Sequence, residues 1–537
     1  MVLVALKRLV SGRLAGKLDG VELLVLEHEL DRPIDRSQPD SWDILLGSIE
    51  DFLRAEWAVG IGEDRPDGPA LASVSCHRNS VCSSKPRRTV TSCREFFRDR
   101  LLDYPHQATR FAASVPACIS SLTARDTPQY TAAMFETDSD RLYLDHAATS
   151  FPKAPGVYEA MLRYGQRIGA SPGRGSYAEA RQGAAVLGEC RRLIARLLNA
   201  EHPDGVVFTL NTSDALNLAI KGLVFSRLRR DPDARLHVVS TAMDHNSVLR
   251  PLNALASMLP GQFRWTCVPV DGNGTAHPSA VEAAITPDTV LVALVHASNA
   301  TGVIQPVAEV GALCKARGVP LLVDAAQSAG HLPIDMQSDG IDLLAFPGHK
   351  GLLGPLGTGG LAIASGMESQ LDPLREGGTG SRSESDTQPT DLPDKFEPGS
   401  HNTLGIAGLI EGVRFILDQG VASLREHELS IISRFMAGLG RISGVRLVGP
   451  AAPHRRVAVF SLVFDDLDPT EAAERLEREH GVLVRAGLHC APRAHAAMGT
   501  IDLGGTVRLS FGPFNSLEDV DRALEGIERI ALVPAAG

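Results

Sequence analysis

Short, nearly unbroken apolar runs recur through the middle of this chain: "GVVFTL", "RLHVVS", "TVLVALVH", "VPLLVDAA", "IDLLAF" and "GGLAIA". A strand with one wet face alternates apolar and polar residues, so runs this continuous suit strands covered on both faces. Between them lie stretches with helical spacing, "SDALNLAIKGLVF", "SVLRPLNALASML" and "VAEVGALCKARG". The alternation predicts an α/β fold around a mostly parallel central sheet, with the helices as crossovers that shield its faces. In open sheets of this kind ligands bind beyond the carboxyl ends of the strands. Functional residues are therefore sought at those ends.

Composition narrows the function classes. The 537 residues carry a net charge of −11, which gives no basic surface for nucleic acid or an anionic membrane. No apolar run reaches the length of a membrane span. The N-terminal "MVLVALKRLVSGRLAGKLDG" has basic residues, but its apolar run is too short for a signal-peptide core. A cytoplasmic protein is expected. The eight cysteines are scattered and form no CxxC pair, which in a large cytoplasmic chain reads as free thiols. Cys76, Cys82 and Cys93, with His77 nearby, fit no standard zinc spacing, so no metal is expected.

Texture changes near residue 134. Residues 1–133 are rich in Ser, Arg, Pro and Thr with little sustained periodicity, as in "HRNSVCSSKPRRTVTSC". They read either as a loosely folded extension or as the product of an over-long reading frame, with the working protein beginning at Met134. A large α/β domain is expected over 141–400, and a smaller α+β domain over 401–537. The chain before residue 160 could pack with the smaller one.

The strand ends hold an unusual set. "FTLNTSDALN" puts Asn211, Thr212 and Ser213 where a strand gives way to a helix, a place that suits either a phosphate or a plain N-cap. "STAMDHNSVL" places His245, and "LVHASNATG" places Asn299, at the next junctions. "LLVDAAQSAG" ends an apolar strand on Asp324 and then offers Gln327; a buried carboxylate is costly unless a cation or several donors meet it. "LLAFPGHKG" delivers His349 and Lys350 between glycines. Each has an ordinary structural reading on its own. Together they fit pyridoxal 5′-phosphate, which has a phosphate, a flat ring, a phenolate oxygen, a ring nitrogen that pairs with an acid and an aldehyde that condenses with lysine. The glycines would leave Lys350 room to swing between cofactor and substrate.

From Tyr143 to the C-terminus the sequence resembles the class V aminotransferase-fold enzymes, specifically the cysteine desulfurases with a short catalytic loop (group II-like). "YLDHAATSFPKAP" is similar to the family's entry motif. "DHNSVLRPL", "VDAAQSAGHLPID" and "GHKGLLGPLGTGGL" resemble its cofactor motifs, "FEPGSHNTLGIAGL" a late core motif, and "VRAGLHCAP" the cysteine segment. The resemblance implies the fold type I of pyridoxal-phosphate-dependent transferases. It makes Lys350 the lysine that binds the cofactor, Asp324 the partner of the ring nitrogen and Gln327 that of the phenolate oxygen. His245 would stack on the ring and Asn299 would approach cofactor and substrate. Thr212, Ser213 and His349 would hold the phosphate, with Ser400 at the place where relatives reach a neighbouring subunit's phosphate. Cys490 would be the nucleophile, Arg508 in "TVRLSFGPF" the carboxylate clamp, and Arg485 a neighbour of the substrate path.

The implied reaction converts L-cysteine to L-alanine and leaves the sulfur on Cys490 as a persulfide. Only the thiolate attacks, and Arg485 and His489 are close enough in sequence to favour it. A homodimer and a sulfur-acceptor protein are expected partners. Whether the sulfur feeds iron–sulfur cluster assembly, thiolated tRNA or selenium use stays open. So do selenocysteine lysis, another reaction of the class V type, and a non-catalytic scaffold. Three departures from the family pattern bear on the acceptor more than on the cofactor. Leu488 stands where many relatives have His, and Pro347 where many have Ser or Thr. "SPGRGSYAEA" lacks a His that many place near the substrate.

Overall fold

A computed structural model describes residues 141–532 apart from Arg174 and Gly380. The extension, the alternative start at Met134 and the group of Cys76, Cys82, Cys93 and His77 lie outside the described residues. The chain enters through β1 (Leu142–Tyr143) and two helices, Val157–Arg167 and Ala178–Leu198. A seven-stranded sheet follows, built from β2 (Val206–Thr209), β3 (Leu236–Thr241), β4 (Phe263–Val268), β5 (Thr289–Val295), β6 (Leu321–Asp324), β7 (Leu343–Pro347) and β8 (Gly359–Ile363). Its order is β2-β8-β7-β6-β5-β3-β4. The pairs from β7 through β6, β5 and β3 to β4 are parallel, while β8 runs antiparallel to both of its neighbours.

The apolar runs became strands for the expected reason. Every residue of β2, β3, β6, β7 and β8 is buried. Helices cover both faces, and two apolar clusters fill the layers. One contains Val239, Leu294, Val323 and Phe346; the other contains Val207, Val238, Ala293 and Leu322. Successive residues of a strand fall into different clusters, as the pleat requires. The edge strand β4, "FRWTCV", was not anticipated. Its interior positions are half-buried or exposed, so it never forms an unbroken apolar run.

After β8 an irregular stretch leads to the helix Thr403–Gln419, whose Ile406, Leu409, Ile410, Val413 and Ile416 join the first of these clusters. The helix Val421–Leu439 then leads to a second, antiparallel sheet in the order β12-β13-β10-β9, with β9 (Val445–Val448), β10 (Val459–Phe464), β12 (Arg485–Gly487) and β13 (Thr506–Ser510). The entry strand β1 pairs in parallel with β11 (Val482–Leu483), so the start of the described chain lies against this later part. Leu142 and Leu144 share an apolar cluster with Phe460, Val507 and Ile527.

A buried ion pair ties the outer edge of the large sheet to the loop before Ser400. Glu397 receives Arg191 Nη1 at 2.8 Å and also the backbone N–H of Phe208 in β2. Both side chains are almost fully buried. Removing one partner leaves a buried charge unpaired, which costs about 3–5 kcal/mol. Glu397→Ala should therefore lower stability by about that amount in urea unfolding. A loss below about 1 kcal/mol would show that the pair does not hold this edge.

Candidate active site

The carboxyl ends of the parallel strands open into a single cleft. It is lined by Asn211, Thr212, Ser213, His245, Ser247, Asn299, Asp324, Gln327, His349 and Lys350, with Leu216, Val295, Ala297 and Ala326. The cavity at its base holds about 110 Å³. Residues spread over 140 positions of sequence meet here because each follows the end of its own strand.

One wall is a pair of helix N-termini. Asn211 caps the helix Thr212–Arg230, its side chain accepting from Asp214 N at 3.0 Å, and this leaves Thr212 and Ser213 in the first turn. Ser213 Oγ lies 2.6 Å from Ser247 Oγ, in the first turn of the neighbouring helix Asn246–Met258. Exposed hydroxyls and free backbone N–H groups at such termini favour an anion. His245 caps the second helix, and its Nδ1 accepts from Ser247 N at 3.1 Å. That bond leaves the ring proton on Nε2. Burial, and then the charge of Lys350, push its pKa down to about 4, so the ring that lines the cleft is neutral.

The floor holds two opposite charges. Asp324 ends β6, is buried and accepts Ala326 N at 2.9 Å; burial raises its pKa, while the Ala326 N–H and Lys350 oppose the rise. Lys350 follows β7 just past Gly348 and His349. Burial lowers its pKa to about 8, although Asp324 and Asp145 pull the other way. Gln327 is fixed by donation of Nε2 to Ala147 O at 2.9 Å. His349 is oriented by contact of Nδ1 with Thr149 Oγ1 at 3.1 Å, and burial pushes its pKa down to about 4.

The backbone leading to Lys350 is held from the entry segment. His349 O accepts from Ser150 N, Thr149 Oγ1, Ser150 Oγ and Lys153 Nζ at 2.9–3.1 Å. Sequence reasoning did not single out Ser247, Asp145, Thr149 or Lys153. The last three do stand inside "YLDHAATSFPKAP", so a signal was present without its structural meaning.

The cysteine segment lies beside the cleft. Asn299 is buried and donates Nδ2 to His489 O at 2.7 Å, while its Oδ1 is buried without a partner. Asn246 N, next to the cap His245, donates to Cys490 O at 2.9 Å. These two bonds hold His489 and Cys490 in the left-handed region, at φ 49° and 57°, where a side chain is strained. The Cys490 thiol is exposed, with Arg485 Nη2 at 3.7 Å from Sγ. Arg508 is buried nearby and donates Nη1 to Asn299 O at 3.2 Å.

Not every expected residue is assembled. Ser400 is exposed and outside the lining of the cleft. His489 does not offer a positive charge to Cys490. Its Nε2 pairs with Thr506 Oγ1 at 3.0 Å, and burial pushes its pKa down to about 2, so the ring stays neutral. Arg485 alone of the two expected neighbours presents a cation to the sulfur.

Residues 142–523 match the family model for "Aminotransferase class-V". A relative from Methanothermobacter thermautotrophicus, described as "Probable cysteine desulfurase", is 34% identical over 394 residues, 73% of this chain and 95% of that protein. A "Cysteine desulfurase" from Yersinia pestis is 30% identical over 393 residues, covering 72% and 93%. Among solved structures, an apo cysteine desulfurase from Thermococcus onnurineus superposes with a TM-score of 0.66 at 33% identity, covering 73% of this chain and 94% of that one. A cysteine desulfurase from Escherichia coli in an S-sulfonic acid form gives 0.64 at 26% identity, covering 73% and 94%.

The burial of Lys350 sets a pH dependence. Only a neutral amine is nucleophilic, so a lowered pKa brings its reactivity to lower pH. With no cofactor bound, modification of Lys350 by cyanate should reach half its limiting rate near pH 8, read by peptide mass spectrometry. An exposed lysine would do so at roughly pH 10.4, and that result at Lys350 would contradict its burial.

Proposed function

The chain belongs to the class V aminotransferase family, among its pyridoxal 5′-phosphate-dependent cysteine desulfurases, and from that premise we propose that it transfers the sulfur of L-cysteine to Cys490 and releases L-alanine. The observation that carries the reading is the place of Cys490. Its thiol is exposed beside an arginine, and its carbonyl is bonded to Asn246, the residue after the His245 that caps a wall of the cleft.

The residues fit the cofactor. A buried Asp324 suits a protonated ring nitrogen, and Gln327 stands close by in the same turn. His245 offers a neutral ring face, and Thr212, Ser213, Ser247 and His349 offer donors to a phosphate. Asn299, which lines the cleft, keeps its Oδ1 buried without a partner. When bound, pyridoxal phosphate supplies an electron-withdrawing ring that acidifies the substrate Cα and so weakens the Cβ–S bond.

The chain's own residues do the rest. Asp324 keeps a proton at the ring nitrogen. Arg508 holds the substrate carboxylate, with Arg485 beside the path. Lys350, a base of moderate pKa, would take the proton from Cα and return one as alanine forms. The Cys490 thiolate attacks the substrate sulfur: an S–S bond forms, the Cβ–S bond breaks, and the carbon takes up a proton. The net change is cysteine plus protein thiol to alanine plus protein persulfide, with atoms and electrons balanced. Arg485 Nη2 stands 3.7 Å from the sulfur that attacks.

We read the working unit as a homodimer. Ser400 is exposed rather than turned into its own cleft, and an apolar strip lies next to it: Tyr158 and Leu162 sit one helical turn apart, and Leu404 packs against the same helix near Gly165. A second copy would cover that strip and bring Ser400 to the neighbouring phosphate. The persulfide then passes to an acceptor protein at the exposed Cys490, with iron–sulfur assembly as one destination. Among the described residues no helix is long and apolar enough to cross a membrane, and free thiols fit a reducing, cytoplasmic setting.

Selenocysteine lysis is the second reading, because selenium leaves carbon more readily and needs no thiol attack. Cys490→Ser separates the two. The variant should keep cofactor binding and its spectral response to L-cysteine, while alanine formation from cysteine falls by at least about a hundredfold, since a hydroxyl is a poor sulfur acceptor. Full activity on cysteine in this variant would remove Cys490 from the reaction.

A further inference from the structure

The Arg508 guanidinium already has an anion. Its Nη2 lies 2.5 Å from Asp145 Oδ1, its Nη1 donates to Asn299 O, and its Nε is buried without a partner. Arg508 is 1% exposed on its side chain and Asp145 21%, so the carboxylate is the more accessible of the two. The approach is fixed by backbone, not by a flexible contact. Asp145 forms a parallel bridge with Ser510 of β13, Ser510 N donates to Leu144 O at 2.7 Å, and Ser510 Oγ accepts Ala147 N at 2.8 Å.

We propose that Asp145 is a positioning residue that aims the Arg508 guanidinium and balances its charge, so that an incoming carboxylate must share this cation with a resident anion. The inference rests on the reading of Arg508 as the carboxylate clamp. A buried guanidinium with no anion is costly, and Asp145 meets that cost whenever no substrate is present. The one donor left unfilled, Nε, is itself buried, so an incoming carboxylate has to compete with Asp145 for the guanidinium. The consequence is a clamp that is in place before substrate arrives but weaker than Arg508 would be alone. A weaker clamp lets the alanine product, which carries the same carboxylate, leave. A neighbouring anion also works against ligands with a second negative charge.

A merely structural Asp145 and a competing Asp145 predict opposite signs. Asparagine keeps the size and an acceptor oxygen for Arg508 while removing the charge. The cofactor-loaded enzyme is titrated with L-alanine, which has the carboxylate and amine but no sulfur to transfer, and with cysteamine, which has the amine and thiol but no carboxylate. Binding is read from the cofactor's absorbance. Asp145→Asn should lower the L-alanine dissociation constant by about fivefold or more and should not tighten cysteamine. Asp145→Glu, which keeps the charge, should stay within about twofold of the native value for L-alanine. Weaker L-alanine binding in Asp145→Asn, or equal tightening of cysteamine, overturns the proposal. Should that variant not fold, Asp145→Ser carries the same expectation. Arg508→Gln supplies the separate control. If it weakens L-alanine while Asp145→Asn fails to tighten it, only this inference falls; if it leaves L-alanine binding unchanged, the clamp reading itself falls.

Discussion

Two opposite charges buried at the ends of adjacent parallel strands organise this protein. Asp324 is the last residue of β6, its Cα paired with Ala345 of β7, and Lys350 comes just beyond the end of β7. Neither charge is comfortable there: burial raises the pKa of one and lowers that of the other, and each partly relieves its neighbour. A sheet covered on both faces is what makes such burial possible. The surrounding structure can be read as support for the pair. Four donors on His349 O hold the turn before Lys350, two helix N-termini face the remaining side of the cleft, and Gln327 is pinned to the entry segment.

In the proposed reaction the second sheet supplies the residues beside that pair. β12 and β13 carry Arg485 and Arg508, whose Cα atoms are register partners. The following turn swings Cys490 back toward the cleft, where Asn299 and Asn246 hold its backbone in a strained form. Asn299 therefore touches three things at once: the lining of the cleft, the cysteine segment and, through its carbonyl, Arg508.

Much of this was legible in the sequence. The fully buried strands showed as apolar runs because both of their faces are covered, and the candidate site residues stood where those runs stop. β4 escaped because an edge strand with half-exposed positions lacks that signature. His489 looked like a source of charge because proximity in sequence says nothing about burial; its ring turns inward to Thr506 and stays neutral. Asp145 and Lys153 were passed over for the complementary reason. Their partners, Arg508 and His349, lie 363 and 196 positions away, and only the fold brings them together.

The central claim is that the cleft around Lys350 and the exposed thiol of Cys490 form one catalytic unit. Peptide mass spectrometry after brief exposure of the cofactor-loaded enzyme to L-cysteine, with no reductant present, tests it most directly. The account predicts that the Cys490 peptide gains one sulfur atom, and that Lys350→Ala abolishes the gain although its Cys490 is intact. Sulfur gained chiefly on Cys190, Cys267 or Cys314, or gained on Cys490 without Lys350, would contradict it.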